Sequence, residues 1–271
     1  MSMSATMSTN PPNAIADELL FERDGLVGVL TINRPARRNA LSEALVAALN
    51  QRIEALRDDA TTRVIVLRSA GRVFCSGHDL GEMTGRSAEE YAALFENCSR
   101  MMYGLRSLPQ PVIALVQGFA TGAGCQLVSA CDLALAAPEA AFATPGVKLG
   151  LFCSTPMVPL IRSIPPKFAM EMLLTGQPVG AERAAEIGLV NRVVPADALF
   201  AEGMELAKRV ASASGLTLAI GKRAFYQQAP LDERRAYEDA ARTMTENALT
   251  RDAQEGMTAF LQKRAPEWRG E

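Results

Sequence analysis

The sequence predicts an α/β fold built from ββα-like units and followed by a helical C-terminal region. Three observations carry this. β-rich runs alternate with amphipathic stretches of helical period, the alternation recurs every few tens of residues without sequence repetition, and residues 199–263 are almost wholly helix-forming. Strands separated by helices in this manner are expected to pair in parallel.

Residues 19–23 and 26–32 are β-rich runs joined by Asp24-Gly25, a hairpin signal, and Arg34-Pro35 ends the second. Ser42 is placed to cap a helix reaching about Leu56, with Leu45, Val46, Leu49, Ile53 and Leu56 at helical spacing. A strand over 64–67 follows, and a turn at Ala70-Gly71 leads to Val73-Phe74-Cys75. An amphipathic helix covers 88–108, and Pro109 and Pro111 separate it from a strand over 112–116. The small residues of 118–124 open a helix to about Cys131, and short strands are expected at 133–136 and 141–143. Beyond Pro165 helical patterns dominate, apart from a short strand over 191–194. The apolar residues of 199–263 cannot all face inward in so small a tail, so either a neighbouring subunit or the domain itself covers them.

With 271 residues, 48% of them hydrophobic, the chain suffices for a sizeable core. Its formal charge of −2 lacks the basic surplus that a phosphate backbone demands, which argues against a nucleic-acid partner. Five cysteines without a CxxC pair and a single histidine leave little for a metal site, and fit a reduced cytoplasmic protein. Residues 1–13, rich in Ser, Thr, Asn and Pro, show neither the apolar core of a signal peptide nor the arginines of a transit peptide, and read as a disordered tail. No apolar run approaches the ~20 residues needed to span a bilayer, so no membrane insertion is expected.

Two small-residue segments carry the chemistry. In Phe74-Cys75-Ser76-Gly77-His78-Asp79-Leu80, Gly77 permits a tight path that lets the following N–H groups point into a cleft. A connecting turn stabilised by the Asp side chain is the plain alternative. The second segment, 118–127, exposes unpaired N–H groups at a helix start with the helix dipole behind them, which suits a developing negative charge. Phosphate binding fails on detail: Leu127 stands where a dinucleotide fingerprint needs Gly or Ala, and no Gly-Lys-Ser/Thr follows. Close helix packing is the alternative here.

In this order and spacing the segments resemble the enoyl-CoA hydratase/isomerase (crotonase) family, and the resemblance spans nearly the whole chain. It includes Asn33-Arg34-Pro35, Arg38-Asn39-Ala40-Leu41, the two segments above with Cys131-Asp132-Leu133, Thr175-Gly176 with residues 184–190, and Phe260-Leu261-Gln262-Lys263-Arg264. It implies a crotonase-like spiral of ββα turns with a helical C-terminal trimerisation region, in a homo-oligomer that is a trimer or a dimer of trimers. The chain then divides into a tail over 1–14, an α/β core over 15–198 and a helical oligomerisation region over 199–271. The resemblance also implies a coenzyme A thioester as substrate, with no permanently bound cofactor. Its carbonyl oxygen would accept hydrogen bonds from the backbone N–H groups of His78 and Ala123. Coenzyme A is expected against Ala36, Arg37, Arg38, Ser76, Asp79, Leu80 and Gly122, and against Lys263 of a neighbouring subunit. Arg37, Arg38 and Lys263 suit phosphates.

The chain departs from the family pattern where hydration is performed. Hydratases of the family use two glutamates, at positions that here hold Gln126 and Gly146. Glutamine can hold a water but cannot take its proton, and glycine offers only backbone. Losing one general acid or base costs about 10²–10⁴ in rate, so standard hydration should be very slow, and glutamate at both positions should return it. Residues 143–156 resemble the subgroup of enoyl-CoA hydratase domain-containing proteins typified by member three. Other candidates are the His78 ring, expected to turn aside, and Asp79, expected to stabilise a turn. Glu82 lies on a loop over 81–87, and Cys153 and Ser154 lie where the chain should approach the acyl group. The expected function is an acyl-CoA thioester enzyme of the hydratase/isomerase type, stabilising an oxyanion or enolate in lipid or organic-acid metabolism. The alternative is an acyl-CoA-binding homologue without hydratase activity.

Overall fold

The computed structural model describes residues 17–271, and the tail expected over 1–14 lies outside them. The predicted hairpin forms β1 (Leu19–Asp24) and β2 (Val27–Ile32), paired antiparallel. Ser42 accepts a hydrogen bond from the Leu45 N–H and starts α1 (Glu43–Arg57), whose Leu45, Val46, Leu49, Ile53 and Leu56 are all buried. Next come β3 (Val64–Ser69) and α2 (Ala88–Ser107), the latter opened by a capping box between Ser87 and Glu90. The chain continues through β4 (Val112–Val116), β5 (Phe119–Thr121), α3 (Ala123–Ala130), β6 (Leu133–Ala136) and β7 (Ala141–Ala143).

The predicted helix start over 118–124 is therefore corrected at its beginning. Residues 119–121 form a strand first, because they pair in parallel with β7 on one side, while on the other the Phe119 carbonyl accepts from the Cys75 N–H at 3.1 Å and the Thr121 N–H donates to the Cys75 carbonyl at 2.9 Å. Pairing with a distant segment overrides the local small-residue signal. The Val73-Phe74-Cys75 run contributes only the isolated bridge between Cys75 and Ala120.

Four short elements follow: α4 (Ser154–Leu160), α5 (Pro166–Thr175), β8 (Val179–Gly180) and α6 (Ala181–Glu186). β9 (Arg192–Val193), α7 (Leu199–Ala211), α8 (Gly215–Gln228), α9 (Glu233–Ala248) and α10 (Arg251–Gln262) complete the chain.

The main sheet runs β1-β2-β3-β4-β6-β9, parallel from β2 onward. Side chains alternate across it. Leu30, Ile65, Leu67, Val112 and Ala114 join the cluster under α1, α2 and α3, while Val27, Val29, Val64, Val66, Ile113 and Leu115 face Leu199, Met204, Ala207 and Ala211 of α7. Covering both faces explains why these strands read as continuous apolar runs.

A second layer consists of β5, β7 and β8, extended by the bridges of Cys75 to Ala120 and of Leu41 to His78. After β2, β3 and β4 the chain adds one rung to this layer and then a helix. The result is the α/β, crotonase-like spiral of ββα turns that the sequence predicts, with C-terminal helices. Of these, α7 packs on its own sheet. The helices beyond it leave Leu249, Phe260 and Leu261 at 78%, 82% and 80% exposure, so the single chain does not cover them.

Candidate active site

The Leu41 N–H donates to the Gly77 carbonyl at 2.8 Å, and the Asp79 N–H donates to the Leu41 carbonyl at 3.0 Å. In a parallel bridge of this kind the facing residue, His78, turns its own N–H away from Leu41, toward the side where β5 and α3 lie. Ala123 is the first residue of α3, so its N–H has no acceptor within the helix.

Two glycines bring these donors together. A Cβ at position 77, where φ is 90°, would lie 2.9 Å from the Thr121 carbonyl oxygen and 3.4 Å from the Ala123 nitrogen. A Cβ at position 124 would lie 2.2 Å from the Cys75 carbonyl oxygen. The close packing sets α3's first turn directly on the 75–78 segment, and His78 and Ala123 line the same cavity.

That cavity holds about 340 Å³. Of the residues predicted to matter, His78, Ala123, Ser76, Leu80, Gly122, Gly146, Cys153 and Ser154 line it. The remaining wall is largely apolar, with Met83, Phe95, Leu149, Leu151, Phe152 and Pro156, and contains no Asp or Glu. Phe95 comes from α2, and Cys153 and Ser154 lie on the cavity side as expected of the stretch that should approach the acyl group.

His78 packs its ring edge-on against Phe95, with centroids 5.9 Å apart, and its buried Nε2 has no hydrogen-bond partner. Burial pushes its pKa down, which favours the neutral imidazole. Gln126 is buried one turn into α3, outside the cavity wall, with its Oε1 unpartnered. Gly146 sits in the 3-10 turn Pro145–Leu149 and donates its N–H to Cys153 Sγ at 3.3 Å. Burial raises the Cys153 thiol pKa against the smaller opposing effect of that N–H.

Position 146 has no room for a side chain. A Cβ there would stand 2.1 Å from the Leu151 carbonyl oxygen and 2.7 Å from Cys153 Sγ. The loop is shaped around glycine, which counts against a glutamate at this position.

The predicted coenzyme A residues fall in two places. Ala36, Arg37 and Arg38 are exposed on the turn after β2. That turn is pinned by Asn39, buried at φ 52°, which donates to the Ala70 and Val73 carbonyls at 2.7 Å each and accepts the Arg34 N–H at 2.9 Å. In the sequence Asn39 stands out only as part of Arg38-Asn39-Ala40-Leu41, although asparagine's tolerance of left-handed backbone marks such a turn. The Arg38 carbonyl accepts the Ser76 N–H, joining this turn to the first segment. Asp79 accepts from the Gly81 N–H and pairs with Arg37 at 3.4 Å and Arg34 at 3.7 Å. Lys263 ends α10 and is exposed, away from the cavity wall.

Glu82 is not a free loop charge. Its carboxylate accepts the Glu43 N–H at 2.8 Å at the start of α1, and its carbonyl accepts from Arg86. Among the described residues, no group of three or more His, Cys, Asp or Glu side chains could hold a metal ion, and no helix is long and apolar enough to cross a membrane.

The sequence profile of the enoyl-CoA hydratase/isomerase family matches residues 22–271. Relatives include the mitochondrial enoyl-CoA hydratase domain-containing protein 3 of Mus musculus, 46% identical over 248 residues that cover 91% of this chain and 82% of the relative. The crystal structure of an enoyl-CoA hydratase from Mycobacterium smegmatis superposes with a TM-score of 0.90 at 47% identity, covering 93% of this chain and 98% of the other. That of human enoyl-CoA hydratase domain-containing protein 3 gives 0.89 at 44%, covering 93% and 100%. The mouse and human relatives are mitochondrial proteins by name, which overturns the cytoplasmic setting expected from the thiols. With the profile spanning nearly the whole described chain and close structural relatives sharing the spiral, the chain belongs to the enoyl-CoA hydratase/isomerase family.

Proposed function

We propose that the chain is an acyl-CoA thioester enzyme whose working parts are the backbone N–H groups of His78 and Ala123, which hold the thioester oxygen and stabilise an oxyanion or enolate. The observation that supports this is that His78 and Ala123, whose N–H groups are engaged neither by the Leu41 bridge nor within α3, line one largely apolar cavity. Such donors act through fixed geometry, each worth about 3–4 kcal/mol at the transition state. Arg37 and Arg38 stand ready for the phosphates of coenzyme A beside Ala36, Asp79 and Leu80, with Lys263 supplied by a second copy in a trimer or a dimer of trimers. The exposed apolar residues of α9 and α10 support that assembly.

Gln126 and the closed position at Gly146 favour a second reading for the hydration step itself: acyl-CoA binding without hydratase activity. Calorimetry with butyryl-CoA should give micromolar binding. The fall in absorbance of crotonyl-CoA should then report hydration slower by about 10²–10⁴ than in a relative that keeps both glutamates. Absence of any CoA-ester binding at high micromolar concentration overturns the proposal, and hydration as fast as in such a relative overturns the loss.

A further inference from the structure

The turn that carries Arg37 and the segment that carries the His78 donor are tied together at several points. The Ser76 N–H donates to the Arg38 carbonyl at 3.1 Å, the Leu41 N–H to the Gly77 carbonyl at 2.8 Å, and the Asp79 N–H to the Leu41 carbonyl at 3.0 Å. The Asp79 carboxylate adds a side-chain tie. It accepts from the Gly81 N–H at 3.2 Å and reaches back to Arg37 at 3.4 Å and Arg34 at 3.7 Å. Arg34 is fixed in turn, because its Nη1 donates to the Ala40 carbonyl at 2.5 Å.

Burial separates the two arginines. The Arg34 and Asp79 side chains are 10% and 11% exposed, whereas that of Arg37 is 65% exposed and meets Asp79 through Nη2 alone. An ion pair with one partner so open to water contributes little to stability, so the contact of Arg37 with Asp79 is not what holds the turn. A guanidinium has five N–H donors in a planar fork. Arg37 can therefore take a phosphate from the solvent side and keep Asp79 on the other.

Resting on the acyl-CoA reading above, we infer that Arg37 and Asp79 form a relay: a phosphate of the coenzyme A headgroup, bound by Arg37, acts through Asp79 on the adjoining His78 and sets its N–H against the thioester oxygen. Asp79 is a positioning residue in this scheme. It touches neither the thioester nor its carbonyl, and it works through the peptide that links it to His78. Contacts to a part of the ligand that does not react are converted into geometry at the part that does. Arg37 then adds more than affinity, because its grip on the headgroup also decides how well the carbonyl oxygen is held.

The test uses the full chain and butyryl-CoA carrying ¹³C at the thioester carbonyl, with Arg37→Gln, Asp79→Asn and the double variant beside the unaltered protein. Calorimetry sets a saturating ligand concentration for each, and infrared difference spectroscopy then reads the bound carbonyl stretch. Arg37→Gln alters an exposed side chain, so it tests the relay even if Asp79→Asn unfolds. The stretch should fall furthest in the unaltered chain and less far in each single variant. The double variant should match the weaker single, because residues in one line of contacts are not additive. An unchanged stretch at saturation in both single variants overturns the relay and leaves Arg37 a plain phosphate contact and Asp79 a plain turn cap. A change in Asp79→Asn alone overturns the part given to Arg37, and losses that add in the double variant overturn the single line of contacts. Absence of binding, or a stretch not lowered even in the unaltered chain, overturns this inference together with the acyl-CoA reading.

Discussion

Gly146→Glu, alone or combined with Gln126→Glu, is expected to destabilise the protein by at least about 3 kcal/mol and to leave crotonyl-CoA hydration no faster than in the unaltered chain. The new Cβ would sit 2.1 Å from the Leu151 carbonyl oxygen and 2.7 Å from Cys153 Sγ, and the first of these is backbone that cannot swing away. Overpacking of this sort costs 1–3 kcal/mol even when only side chains give, so forcing the 145–153 turn open lies at or above the upper end, at about 3 kcal/mol. Gln126→Glu does not compensate. Residue 126 is buried and does not line the cavity, and a carboxyl there has its pKa raised by desolvation, which favours the neutral acid over the base. Denaturant unfolding measures the first effect, and the absorbance assay, run beside a calorimetric check of butyryl-CoA binding, measures the second.

Asp132→Asn should cost about 3–5 kcal/mol, the usual effect of removing one partner from a buried ion pair. Asp132 accepts from the Val112 N–H at 2.7 Å, from Lys222 Nζ at 2.7 Å and from the Tyr226 hydroxyl at 2.9 Å, so one carboxylate ties α8 to the edge of β4. Lys222 is only 6% exposed and also donates to the carbonyls of Leu105 and Gln110. Burial pulls its pKa down and Asp132 opposes that pull, so the asparagine variant leaves an ammonium without its counter-charge. Urea unfolding should show the loss. Butyryl-CoA affinity should change little, because none of these residues lines the cavity.

What the sequence made legible was local. The hairpin at Asp24-Gly25, the Ser42 cap and the period of Leu45, Val46, Leu49, Ile53 and Leu56 are set by neighbours within a few positions, and all appear in the structure. The two donor segments were legible because glycine leaves a visible mark wherever two backbones approach closely. Pairings between distant segments were not. Nothing near 119–121 announces a strand, since its partners are β7 and Cys75, and nothing near Glu82 reveals that its carboxylate meets the start of α1. Lys222 gave no sign of its partner either, although Asp132 stood in a motif. Gly146 shows the limit most clearly: its identity told of a missing glutamate, whereas only the fold of 151–153 around it shows that the position is closed to any side chain.

The central claim is that the thioester oxygen lies between the N–H groups of His78 and Ala123, and the carbonyl itself reports on this. Infrared difference spectroscopy of butyryl-CoA carrying ¹³C at the thioester carbonyl compares its stretch when bound with that in water. Two donors fixed on the carbonyl oxygen polarise and lengthen the C=O bond. The account predicts a bound stretch clearly below the frequency of free butyryl-CoA, and a bound stretch at or above that frequency would contradict it.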